Sequence, residues 1–172
     1  MKTQLINKSF ILLSLVFGLI TSSCSNDDDG GSAGNTANGT VRAKINGSNF
    51  QSNEMFSQAT VVNQGGVSVL QMQGTDDSGK GFNFVVNGYE GEGTYDIGGD
   101  NLIFVIASYI ETDATNPTNS QTWSAPYDGD AVRGSISVST ATDDKVQGTF
   151  EFTAKNDNDG SVKDITEGSF NL

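Results

Sequence analysis

The chain has 172 residues, enough for one domain with a sizeable core. It carries 9 basic against 21 acidic residues, a formal net charge of −12, with one cysteine and no histidine. That balance excludes binding to nucleic acid, which rests on basic neutralisation of phosphate. The missing imidazole excludes a Ser-His-acid triad and histidine-ligated zinc or copper.

The first residues read as an export leader. Lys2 and Lys8 precede an apolar run from Phe10 to Ile20, and Thr21, Ser22 and Ser23 are small residues that suit cleavage. An apolar run of about 11 residues makes roughly 17 Å of helix, too short for a hydrocarbon core of about 30 Å. Cys24 follows at once, and an exported chain with a lone cysteine has no disulfide partner within itself. The segment resembles a bacterial lipoprotein signal, with Thr21 where that pattern usually has an aliphatic residue. The resemblance implies that residues 1–23 are removed and that Cys24 is lipidated as the first mature residue. An ordinary secretory leader with an incidental cysteine is the alternative. Each lipid methylene buried contributes about 0.8 kcal/mol, and two or more chains anchor stably where one does not. The expected location is the outer membrane, anchored through Cys24, at the cell surface; a periplasm-facing position is the alternative.

Residues 24–39 read as a flexible acidic tether. From Ser25 to Thr40 there is no large apolar side chain, so the stretch has nothing to offset its ordering entropy. Asp27, Asp28 and Asp29 resemble the acidic export tag of surface lipoproteins in Bacteroidetes. Residues 40–172 then form one domain.

That domain is written with a period of two. Val41, Ala43 and Ile45 alternate with Arg42 and Lys44, and Asn46-Gly47 marks a tight turn toward Phe50. Val67, Val69 and Gln71 alternate with Ser68, Leu70 and Met72, which predicts a strand buried on both faces. Phe82, Phe84 and Val86 form the next core face, with Asn83 and Val85 between them. Residues 101–110 are the most apolar stretch of the domain and predict a central strand covered on both sides. Val132, Ile136 and Val138 are expected to share a face opposite Ser135, Ser137 and Ser139. Val146, Phe150, Phe152 and Ala154 point one way, Thr149, Glu151 and Thr153 the other. The fold class is all-β: an antiparallel β-sandwich or barrel.

A local theme recurs in Glu92-Gly93-Thr94-Tyr95, Gln147-Gly148-Thr149-Phe150 and Glu167-Gly168-Ser169-Phe170. A strand glycine permits a bulge or sharp curvature, and a neighbouring aromatic covers its bare backbone. These residues therefore belong to fold specification. Gly148-Thr149-Phe150 and Gly168-Ser169-Phe170, together with Ala43-Lys44-Ile45-Asn46-Gly47 and the lone Trp123, resemble an uncharacterised family of Bacteroidetes lipoprotein domains. The resemblance spans the leader and nearly all of residues 40–172. It implies an all-β envelope domain and carries over no functional residue.

Candidate chemistry is sparse. Glu90 with Glu92, and Glu111 with Asp113, are spaced to share a strand face. Paired carboxylates about 5–9 Å apart run glycoside hydrolysis; hairpin polarity is the competing account. Lys155 to Gly160 resembles the start of a calcium loop, but Lys155 and Thr166 fall where the outer ligands of the helix-loop-helix type must be acidic. Calcium on Asp157 and Asp159 in another geometry stays open beside a plain solvated turn; no other cofactor is expected. Trp123 and Tyr127 flank Pro126. Exposed, they would stack on a sugar or anchor a protein partner; otherwise Trp123 closes one end of the core. The sequence thus points to a lipid-anchored, non-catalytic binding or interaction module with a glycan or an envelope protein as partner. A small carboxylate-dependent glycan hydrolase and a purely structural envelope component are the alternatives.

Overall fold

The structure, a computed structural model, describes residues 36–100 and 104–172. The leader, Cys24, the Asp27–Asp29 run and residues 101–103 lie outside the described residues. Eleven strands follow one another: β1 (Thr40–Ile45), β2 (Ser48–Gln51), β3 (Ser57–Gln64), β4 (Val67–Thr75), β5 (Lys80–Asn87) and β6 (Gly93–Ile97) come first. Then come β7 (Val105–Glu111), β8 (Gln121–Ala125), β9 (Gly134–Thr142), β10 (Lys145–Lys155) and β11 (Val162–Asn171). Two single 3-10 turns, Glu54–Phe56 and Pro117–Asn119, complete the described secondary structure.

All strands belong to one antiparallel sheet in the order β2-β1-β11-β10-β8-β7-β5-β4-β3, with β9 and then β6 branching from β10. The sheet forks at β10. Residues 145–152 of that strand pair with β9, and Lys155 pairs with Ser124 of β8. The sheet curls into a half-barrel, which decides between sandwich and barrel: the core lies inside one curved layer. At the seam, Ser52 N donates to the Val41 carbonyl and Asn53 N to that of Thr75, each at 2.9 Å. Gly74 brings β4 against β1, and a Cβ there would lie 2.5 Å from Val41 Cγ2.

The concave side is filled with aromatic rings. Phe82 stands at its centre, with ring centroids 5.0 Å from Phe50, 5.2 Å from Tyr109 and 5.3 Å from Phe150. These residues come from β2, β5, β7 and β10, so one ring ties distant strands together. Edge-on and tilted pairs of this kind add about 0.5–1.5 kcal/mol each beyond area burial.

The glycine theme proves to be an interlock. Gly148 stands opposite Phe170, and Phe150 opposite Gly168, across β10 and β11. A Cβ on Gly148 would lie 2.6 Å from the Phe170 ring and overlap the Ser137 carbonyl; one on Gly168 would lie 2.5 Å from the Phe150 ring. The β11 register slips beside Gly168 against both neighbours, a bulge that bends the strand. The third copy differs: Gly93 faces open space.

Asn46 and Gly47 both take left-handed backbone, at φ 49° and 81°, and close the two-residue β1–β2 turn. Other expectations need correction. Val132 is exposed and precedes β9, whose core face is Ile136 and Val138. In β4 only the Leu70–Met72 side is buried, with Gln71 exposed on the other. In β7, Val105, Ala107 and Tyr109 are buried while Ile106 and Ile110 are half-buried. Double coverage fails in both strands because, among the described residues, nothing packs on the convex side of the single curved layer. Packing also begins before Thr40: Thr36 is buried, and its carbonyl accepts from Asn171 Nδ2 at 3.0 Å.

Gly168→Ala is expected to destabilise the domain by about 3 kcal/mol through overpacking. Gly65→Ala, in the open β3–β4 turn at φ 62°, is expected to cost about 1 kcal/mol. Urea unfolding of both variants beside the parent checks the difference.

Candidate functional site

The structure gathers three separate sequence candidates at one end of the half-barrel. Trp123, on β8, turns its ring inward and is only 6% exposed. It neighbours Tyr109 of β7, with ring centroids 5.9 Å apart. Lys163 of β11 pairs with Ala154 and shares that residue's inward face. Its Nζ lies 4.1 Å from the Trp123 ring centroid, 5.2 Å from that of Tyr109 and 2.9 Å from Glu111 Oε1. The Tyr109 hydroxyl donates to the same Glu111 oxygen at 3.0 Å.

The turn between β10 and β11 is tied to this cluster. Trp123 Nε1 donates to Ser161 Oγ at 2.9 Å, and Ser161 N donates to Asp159 Oδ1 at 2.8 Å. Asn156, fully buried, donates from Nδ2 to Gln121 Oε1 at 2.8 Å and accepts from Asn158 N. The hydroxyl and backbone N–H of Ser161 hold the Asp159 carboxyl below its ordinary pKa. Asp159 thus caps its own turn, and Asp157 is exposed beside it. Among the described residues, no three acidic or cysteine side chains come together to hold a metal.

The electrostatics follow from the geometry. Burial raises the Glu111 carboxyl, but the hydrogen bonds from Lys163 and Tyr109 and the ammonium charge outweigh it, so its pKa ends lowered. Burial, and then Glu111, push the Tyr109 phenol well above its ordinary value. The result is a lysine-carboxylate pair roofed on two aromatic faces, which seals the aromatic interior at this end.

The other candidates are dispersed. Tyr127 is half-buried and lies apart from the Trp123 ring's surroundings: its hydroxyl meets Thr153 Oγ1 at 3.0 Å, and Arg133 covers its ring at 4.1 Å. Lys155 reaches the neighbouring Asp128 with Nζ–O distances of 2.8 and 2.9 Å. Glu90 and Glu92 lie exposed in the loop before β6, so the strand face expected to order them is absent. Glu111 ends β7 and faces Lys163, while Asp113 turns into its own loop and accepts from Thr115 and Asn116. Neither acidic pair shares a strand face as the sequence spacing suggested.

A second feature lies on the convex side. Register places Gln58 opposite Gln73, Gln73 opposite Asn83, Asn83 opposite Ser108 and Ser108 opposite Ser124. A row of amides and hydroxyls therefore crosses five strands at right angles to the chain. Beside it, Gln58, Thr60, Gln71, Gln73, Asn83 and Val85 line a shallow groove of about 190 Å³. The sequence marks a wet face on β5 at Asn83, but it predicts β4, with Gln71, buried on both faces. It does not show that they meet, because cross-strand register is not written in periodicity.

Lys163→Met is expected to cost about 1–2 kcal/mol at pH 7, from the lost cation–π contact and ion pair. The lowered Glu111 pKa means that its contribution is present above the unfolded-state value and is lost as pH falls through the folded-state value. The gap between parent and variant is therefore expected to narrow between about pH 5 and about pH 2, measured by urea unfolding across that range.

The chain matches the model of one protein family, the Domain of unknown function (DUF6252), over residues 37–171. No curated protein and no solved structure matches it. The chain belongs to the DUF6252 family.

Proposed function

We propose that this DUF6252 protein is a lipid-anchored, non-catalytic binding module of the outer membrane, displayed at the cell surface, and that its convex face binds a neutral glycan. The observation that carries the reading is the row from Gln58 to Ser124 with the groove beside it. A primary amide offers two donors and an acceptor, which suits the mixed donor and acceptor character of sugar hydroxyls. Among the described residues, no hydrogen bond holds the side-chain amides of Gln58, Gln71, Gln73 or Asn83. From Met55 to Thr75 the chain carries no charge, although its net charge is −12. A neutral ligand meets no repulsion there, whereas an anionic polymer is disfavoured by the whole molecule.

The anchor is supported by the sequence: the Phe10–Ile20 leader, the small residues after it and Cys24. The tether that follows would hold the domain clear of the membrane and leave the convex face free.

Native electrophoresis of the full chain through gels containing mannan, starch or a β-glucan tests the ligand. At least one polymer is expected to retard the parent. Gln73→Ala with Asn83→Ala is expected to weaken retardation about tenfold or more, each lost hydrogen bond contributing about 1 kcal/mol. Equal mobility of parent and variant in every gel overturns the glycan reading. The anchor is tested separately: Cys24→Ala is expected to move the protein from the membrane fraction to the soluble one.

A further inference from the structure

Among the described residues the sheet has three free margins, and they are not alike. β2 is only 4 residues long. β6 has 5 residues and carries the exposed Asp96. Short length and charge are the usual protections of a sheet edge. β3 has neither: it is 8 residues long, lies at the end of the strand order and reads Ser-Gln-Ala-Thr-Val-Val-Asn-Gln. The surrounding stretch from Met55 to Thr75 contains no Asp, Glu, Lys, Arg or Pro.

The exposed apolar side chains concentrate in the same place. Met55 is 83% exposed, and Phe56, Val61, Val62 and Val67 are exposed as well; among the described residues only Phe104, Val132 and Val162 are comparable elsewhere. Val61 shares the concave side with Leu70, its partner on β4, but the half-barrel stops short of covering it. Val62 stands on the convex side opposite Val69.

We propose that two copies of this chain pair antiparallel through the free edges of β3, joining two half-barrels into one continuous sheet. The occupant follows from self-complementarity. Run against itself about Val61, the strand sets Thr60 opposite Val62 and Ala59 opposite Asn63. The same register sets Gln58 opposite Gln64 and brings the exposed Met55 and Phe56, just before β3, to the end of the edge where the other copy turns at Gly65-Gly66. A two-fold axis makes this contact closed and isologous, so it ends at a dimer. Charge points the same way. Two molecules of net charge −12 repel, and the Met55–Thr75 stretch offers the uncharged surface on which copies can meet. The inference rests on the edge and does not depend on what the convex face binds.

The test is sedimentation equilibrium of the full chain carrying Cys24→Ser, so that neither lipid nor a native thiol sets the mass. The parent is expected to sediment at twice the monomer mass and to dissociate on dilution. Val61→Lys places two ammonium groups opposite each other at the axis and Val62→Lys sets two diagonally across it, and each is expected to weaken the dimer tenfold or more. Val61→Cys is expected to cross-link to its own copy on mild oxidation, while Val132→Cys, exposed but away from the edge, stays monomeric on a non-reducing gel. Should Val61→Lys lose its β-sheet circular dichroism, Val62→Lys on the outward face decides alone. A parent that stays monomeric throughout the dilution series overturns the proposal. So does a dimer that survives the lysine substitution.

Discussion

The interlock between β10 and β11 is the constraint on which the rest of the architecture depends. Each strand supplies a glycine and an aromatic two residues later, and each ring lies over the other strand's bare backbone. Glycine is needed there for the missing Cβ, since a methyl group at Gly148 would also overlap the Ser137 carbonyl of β9. Three strands therefore approach more closely than side chains allow. The bulge beside Gly168 then bends β11 against both neighbours. This crowding lies at β10, where the sheet forks, and it helps a single layer curl around its own core.

A single curled layer has two very different sides. The concave side collects the rings around Phe82 and must be closed at its ends by side chains, because among the described residues no second sheet covers it. At one end the closure is Lys163, which lies over Trp123 and Tyr109 with Glu111 beside it. Lysine suits the position because its methylene stem packs among rings while its head satisfies a carboxylate and two aromatic faces. The convex side carries no such demand. Its residues need only tolerate water, and along β3, β4 and β5 they are mainly amides and hydroxyls.

The distribution of charge follows the same division. Many of the acids lie in turns and loops, as with Asp76-Asp77, Asp143-Asp144 and Asp157, where side chains cap local backbone or face solvent. The β3–β4 hairpin is left neutral within an acidic protein. That neutrality underlies both proposals: a polar, uncharged face can receive sugar hydroxyls, and an uncharged edge can meet its own copy. The face and the edge adjoin through Gln58 and Thr60, but they use different atoms, side-chain amides in one case and main-chain groups in the other.

The residues alone determined the all-β class, the Asn46-Gly47 turn and the core faces of Phe82-Phe84-Val86 and Phe150-Phe152-Ala154. These are local matters of a two-residue period and of which side chains leave water. They also marked Gly148 and Gly168 as fold-specifying, because a glycine followed by a hydroxyl and an aromatic within a strand has a steric meaning before any partner is known. What they left open was every relation between strands. Trp123 reads as a core ring ahead of an exposed platform, and Lys163 of β11 with Ser161 of the turn before it fix the ring in the core. Likewise, Gln73 and Asn83 are plain wet positions until β4 and β5 pair in register and make them neighbours. Periodicity tells each side chain which way to face; register tells it whom it meets, and register is settled by contacts between residues far apart in the chain.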